Sequence, residues 1–360
     1  MRPPGETKLH LFNARAEVPQ RAHRRMKGER CVAPFPIYRD PAGELLAAHA
    51  SGDGASNATV AHILAVAAGY AYAEIETMTT MMSRVGFGDH GTVCVSETVD
   101  AMYIDTTAYL TQSRCGRVVI LSYRGTPPAS LVTWLGDADV GSDSMRLAGE
   151  AVSVHSGFYR NLRATRMPII EELTTALRGR SLVDSKKKLD HPMQALYVTG
   201  HSLGGALAVL FALSISSTPE LRAIAERLRA VYTFGQPMTV GEPLPEAARI
   251  VSGKIFRHVL PRDIMPLLPP AGWGALAHIG HEYQYEAGQW QLQKNAVRQA
   301  VSVREIPRAM LTMLAPTKRG NTAQYTTAVH GPHHYISALR PAGLITEFGD
   351  YPADGGAVVR

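Results

Sequence analysis

Ser202 stands in Gly200-His201-Ser202-Leu203-Gly204, a Gly-x-Ser-x-Gly pattern set between a short apolar run, Leu196-Tyr197-Val198, and an Ala/Leu-rich run that follows it. A serine hydroxyl attacks a carbonyl carbon only when it is held out on a sharp turn beside a base and beside donors for the oxyanion. A strand, a turn and a helix in that order supply this pose. Gly200 and Gly204 read as positions where strand and helix pass too closely for a side chain. Leu203 can offer its backbone N–H to an oxyanion at the start of the helix, where the helix dipole also favours negative charge. A bare Gly-x-Ser-x-Gly arises by chance in roughly one chain in ten of this length at ordinary Gly and Ser frequencies. The flanking strand and helix therefore carry the weight of the reading.

A serine of this kind needs an acid and a histidine, expected in the order Ser, Asp or Glu, His at the C-terminal ends of strands. Residues 254–260 read as a strand, and Asp263 follows in a Pro-bounded loop that can fix its carboxylate toward an imidazole. Its task is to set the tautomer and stabilise the imidazolium. Three histidines then compete for the role of base: His330, His333 and His334. The Gly331-Pro332 pair leaves His330 in a loop while His333 and His334 enter a helix. The same three could bind a metal, but no acidic or thiol ligand stands at zinc spacing, so neither metal nor cofactor is expected. His201 reads as a packing residue.

Several further motifs occur in order: Val118-Val-Ile-Leu-Ser-Tyr-Arg-Gly-Thr126, Val154-His-Ser-Gly-Phe158, Gly200-His-Ser-Leu-Gly-Gly-Ala206, Thr233-Phe-Gly-Gln-Pro237, the loop from Phe256 to Pro270, and His278-Ile-Gly-His-Glu282. Over residues 55–339 the chain resembles the class 3, fungal-type lipases among the α/β-hydrolases, with Tyr123 where that family usually has Phe. The resemblance implies a mostly parallel central sheet with helices on both faces. It also implies a second oxyanion donor at Thr126, whose backbone N–H would join that of Leu203, with Arg124 and Gly125 shaping the loop. Bacterial and plant members place the catalytic histidine five residues before a Tyr that opens the last helix, which points to His330 ahead of Tyr335; the shorter fungal spacing favours His333. In the family the region after Thr126 carries a lid. Leu131, Val132, Trp134 and Leu135 supply an apolar face there that suits a lid or ordinary packing equally.

These residues need a scaffold, and the rest of the chain reads as one. Strands are expected at 117–123, 151–155, 195–199, 230–234 and 254–260, with helices at 157–178, 203–215 and 219–228. That is the alternation of a covered parallel sheet. Residues 57–82 read as one long Ala-rich helix, and 137–149 as a polar, mobile connection. At 360 residues, a basic, Pro/Arg-rich arm over 1–40 followed by one α/β domain over 41–360 is the expected organisation.

The formal net charge of +6 favours anionic surfaces or substrates without naming them. The basic cluster of the arm reads as a solvated segment or a contact with anionic lipid, and Lys186-Lys187-Lys188 as an exposed loop, because no aromatic interleaving suggests nucleic acid. No run of about 18 apolar residues suggests a transmembrane segment, no apolar stretch follows the N-terminal charges, and three scattered cysteines suggest no disulfide framework. A cytoplasmic setting is the resulting default, with secretion as the alternative.

The chemistry expected is therefore carboxylic-ester hydrolysis through an acyl-enzyme. By resemblance its substrates are acylglycerols, met through transient contact with a lipid interface. A short-chain esterase, a phospholipase, and a hydrolase fold that binds without catalysing are the alternatives.

Overall fold

The computed structural model describes residues 20–50, 55–126, 142–241, 243–244, 246–269, 276–294 and 328–352. Its strands are β1 (Gln20–Lys27), β2 (Gly91–Val99), β3 (Ile104–Gln112), β4 (Val118–Tyr123), β5 (Ser142–Leu147), β6 (Glu150–His155), β7 (Ala195–His201), β8 (Leu228–Phe234), β9 (Val240–Gly241), β10 (Ile255–Val259), β11 (Leu276–Ala277), β12 (His281–Glu286) and β13 (Gln289–Leu292). The described α-helices are α1 (Pro41–Ala47), α2 (Ala58–Tyr70), α3 (Ile75–Val85), α4 (Ser156–Leu177), α5 (Leu203–Ser216), α6 (Arg222–Ala225), α7 (Glu246–Ser252) and α8 (Pro332–Leu339).

Nine strands form the central sheet in the order β1-β2-β3-β4-β7-β8-β10-β12-β13. The middle five, β4, β7, β8, β10 and β12, run parallel, and antiparallel strands extend the sheet at both edges. Strand β4 and the start of β7 read as continuous apolar runs because both of their faces are covered. Every residue of β4, β7 and β10 is buried. One face receives α4 and α5, the other α1, α2, α3 and α8. Helix α5 is buried from Leu203 to Ile215, as its lack of a polar face requires. Each fully buried Leu or Val there contributes about 1.5–3 kcal/mol. Chain organisation and helices on both sides of a mixed, largely parallel sheet make this the α/β-hydrolase fold expected from the motifs.

Five expectations change in the structure. The single helix read over 57–82 is two helices, α2 and α3, because tertiary partners claim the backbone between them. The Tyr109 hydroxyl donates to the Ala73 carbonyl at 2.6 Å, and Glu74 takes an extended conformation ahead of α3. The strand expected at 151–155 forms as β6 but belongs to a separate four-stranded sheet, β11-β9-β6-β5. Its hairpin partner β5 occupies part of the segment read as a mobile connection. The helix expected at 219–228 shrinks to a 3-10 turn and the one-turn α6, since Leu228 already opens β8. Part of the arm read as solvated is the edge strand β1, antiparallel to β2. Charged side chains suit an unpaired sheet edge, and two of them are anchored: Arg24 to Glu74 and Glu76, Arg25 to Glu172.

Candidate active site

Ser202 follows the last residue of β7 and precedes the first residue of α5. Its backbone sits at φ 56°, ψ −129°, a conformation that costs an L-residue strain and lifts the side chain out of the turn. The strand and helix meet as the glycines require. A methyl on Gly200 would fall 2.2 Å from the Gly204 backbone, and one on Gly204 would fall 2.3 Å from the Tyr123 carbonyl at the end of β4. The Ser202 N–H donates to the Phe234 carbonyl at 2.9 Å, which locks the turn to the end of β8. The Ser202 hydroxyl is buried and without a hydrogen-bond partner among the described residues.

Asp263 lies four residues beyond the end of β10, and His330 closes the 3-10 turn Ala328–His330 just before α8. The structure joins them: His330 Nδ1 is 2.9 Å from Asp263 Oδ2 and 3.1 Å from Oδ1. Asp263 also accepts from the Tyr335 hydroxyl at 2.5 Å and from the Met265 N–H at 2.9 Å. Burial and the neighbouring carboxylate push the Tyr335 phenol well above its ordinary range, so it remains a donor. A carboxylate facing Nδ1 places the imidazole proton there and leaves the Nε2 lone pair as a base. That Nε2 atom is buried with no partner among the described residues, as is the serine hydroxyl. The floor beneath the pair is Gly235, at φ 57°, where a methyl would meet Asp263 Oδ2 at 2.7 Å and the His330 ring at 2.9 Å. Gln236 holds the loop after Gly235, accepting from Thr233 Oγ1 at 2.8 Å and donating to Thr239 Oγ1 at 3.2 Å.

Leu203 is the first residue of α5, where backbone N–H groups have no partner within the helix. Thr126 is the third residue after β4, whose end adjoins that of β7. The loop leading to it is held at both sides. Arg124 pairs with Asp105, and its N–H donates to the Thr107 carbonyl at 2.9 Å. Gly125 packs against the Tyr72 hydroxyl and the His201 carbonyl, at 2.1 and 2.6 Å from where a methyl would stand. The Ser202 turn, the Asp263 loop that holds His330 and the loop to Thr126 thus follow the C-terminal ends of β7, β10 and β4.

The family model of class 3 lipases matches residues 120–273, which hold this elbow and the Asp263 loop. Residues 120–273 of this chain thus match a class 3 lipase domain. It is 27% identical over 204 residues to triacylglycerol lipase OBL1 of Ricinus communis, covering 47% of this chain and 38% of that protein. Identity with secreted mono- and diacylglycerol lipase 2 of Gibberella zeae is 31% over 144 residues, covering 36% of this chain and 31% of the relative. The chain thus spans about a third of the length of these two curated relatives. In fold, the chain superposes on lipase II from Rhizopus niveus with a TM-score of 0.51 at 20% identity, over 72% of this chain and 93% of the other.

The structure brings His330 to Asp263, whereas His333 and His334 enter α8, their rings tilted against each other with centroids 4.0 Å apart. Leu131, Val132, Trp134 and Leu135, read as a lid or as packing, lie outside the described residues. Among the described residues no cluster of His, Cys, Asp or Glu could hold a metal ion, and no single helix is long and apolar enough to cross a membrane. The cytoplasmic default gains no support from a relative named as secreted. Sequence reasoning missed two partners and the hydrogen bonds of a third residue. Tyr335 served only as a spacing marker, yet its hydroxyl binds Asp263. Tyr72 was absorbed into a helix, yet it turns inward to His201. His201, read as packing, is hydrogen-bonded at both ring nitrogens. The only sequence signal for these was a polar-tipped residue within an otherwise apolar run.

Proposed function

We propose that this chain is a serine carboxylic-ester hydrolase acting on acylglycerols through an acyl-enzyme. The observation that supports the reading is Ser202 on a strained elbow, its hydroxyl without a partner among the described residues, together with His330, whose Nδ1 is held by a carboxylate and whose ring packs on His201, the residue before the serine. Ser202 Oγ attacks the ester carbonyl as His330 Nε2 takes its proton. Asp263 keeps the His330 proton on Nδ1 and stabilises the imidazolium that forms. The N–H groups of Leu203 and Thr126 receive the developing oxyanion, each such donor being worth about 2.7–4 kcal/mol in the transition state. His330 then protonates the leaving alcohol, and water deacylates the serine by the same route in reverse. The acylglycerol class rests on the named activities of the relatives, and the basic charge and lipid class together support transient contact with a lipid interface.

Hydrolysis of p-nitrophenyl esters from short to long acyl chains, in wild type and Ser202→Ala, tests this reading. Turnover present in the first and lost in the second is expected, with preference for long chains. A short-chain optimum would make the protein an esterase. Absence of turnover together with failure of a fluorophosphonate to label Ser202 would leave a binding module.

A further inference from the structure

His201 Nε2 lies 2.6 Å from the carbonyl oxygen of His330. A carbonyl only accepts, so Nε2 carries the ring proton and Nδ1 presents a lone pair. The Tyr72 hydroxyl, 2.9 Å from Nδ1, therefore donates to it. The Tyr72 oxygen in turn rests on Gly125, the residue before Thr126, together with the carbonyl of His201 itself. The His201 ring also packs on the ring of His330, with centroids 4.4 Å apart. His330 belongs to a single 3-10 turn outside the sheet, whereas His201 is the last residue of β7. The hydrogen bond between them couples that turn to the central sheet.

Resting on the hydrolase reading, we propose that Tyr72 and His201 are positioning residues. They form a strut from the Gly125 loop to the His330 backbone, so that the base and one oxyanion donor share a single frame. Two features suit this arrangement to the chemistry. Burial holds the His201 pKa far below its ordinary value, so the ring stays neutral when the His330 ring beside it becomes an imidazolium. The break between α2 and α3 is what turns Tyr72 inward, so the strut exists only because the long Ala-rich segment does not continue as one helix.

The test is steady-state kinetics on a p-nitrophenyl ester, with fluorophosphonate labelling rates and thermal melting run alongside. Tyr72→Phe removes one oxygen atom and should lower kcat about tenfold while leaving KM unchanged. His201→Leu should lower kcat about a hundredfold through a displaced base. Adding Tyr72→Phe to His201→Leu should cost nothing more, since the tyrosine acts through the histidine. His201→Gln, whose amide N–H can still reach the His330 carbonyl, should recover much of the loss. Wild-type kcat in Tyr72→Phe, multiplying losses in the double variant, or a Gln variant no better than Leu would overturn the strut. Should His201→Leu fail to fold, Tyr72→Phe alone still decides. Wild type without Ser202-dependent turnover would overturn the hydrolase reading itself; Ser202-dependent turnover indifferent to Tyr72→Phe would overturn the strut alone.

Discussion

His330 Nδ1 and Asp263 Oδ2 are 2.9 Å apart although 67 residues separate them in the chain. Asp263 arrives from the end of β10 and His330 from the turn before α8, and the approach of α8 to α2 seats that turn. A methyl on Gly69 of α2 would stand 2.7 Å from Ile336 of α8, so the two helices meet closely there. This contact gives the candidate site its reach across the sheet.

Replacing the proposed nucleophile or the proposed base should separate activity from folding. Ser202→Ala and His330→Ala are each expected to lower kcat by about 10⁴-fold or more, with melting temperatures near wild type. His333→Ala should retain most turnover, because His333 is an exposed residue of α8 whose ring lies tilted against that of His334. Initial rates on p-nitrophenyl esters check all three, and an inactive His333→Ala beside an active His330→Ala would reassign the base.

The carboxylate should matter through the tautomer it imposes. Asp263→Asn keeps the shape but lets Nδ1 face an amide, and a fall in kcat of about 10⁴-fold is expected. Tyr335→Phe removes one of three donors to Asp263 and leaves His330 and Met265 in place. A smaller loss, about three- to tenfold, should follow. Equal losses in the two variants, measured as kcat/KM, would count against this division of roles.

Gly235→Ala would put a methyl 2.7 Å from Asp263 Oδ2 at a backbone angle that L-residues rarely adopt. Displacement of the Asp263–His330 pair should lower kcat about a hundredfold, and the strained backbone should cost about 1–3 kcal/mol of stability. Urea denaturation and steady-state rates on the same preparation measure both. Wild-type kcat in a folded Gly235→Ala protein would show that the pair tolerates displacement.

Acid should destabilise the fold before its carboxylates titrate. Burial lowers His62 and His258 to about 3 and His90 to about 4. An unfolded histidine titrates near 6.5, so between that value and the folded pKa the unfolded chain binds the proton and the native state does not. Stability is therefore full above about pH 6.5 and falls as pH drops through the window, by up to about 1.4 kcal/mol per pH unit for each histidine. Urea midpoints at pH 7.5, 6.5 and 5.5 should decline, and His258→Phe should flatten the decline by one proton. A midpoint constant down to pH 5.5 would contradict the linkage.

Much of the scaffold was legible because its signals are local. The apolar runs 195–199 and 203–215 became β7 and α5, since a strand or helix covered on both sides has no polar face to interrupt the pattern. Strands β2 and β3 were not anticipated; Ser, Thr, Glu and Asp punctuate them, and their pairing rather than their composition makes them strands. The same limit hid β5 within a polar stretch and the break that separates α2 from α3.

The sequence by itself determined the serine elbow, the order in which an acid and a histidine follow it, and the glycines that let strand and helix touch. Those depend on neighbours a few residues apart, whose spacing and size are written in the chain. Only the tertiary structure decided that His330, of three adjacent histidines, faces Asp263, that Tyr335 and Met265 share that carboxylate, and that Tyr72 and His201 reach the same turn. These are distances between segments far apart in sequence, set by how α2, α8 and the central sheet pack, and no local pattern encodes them.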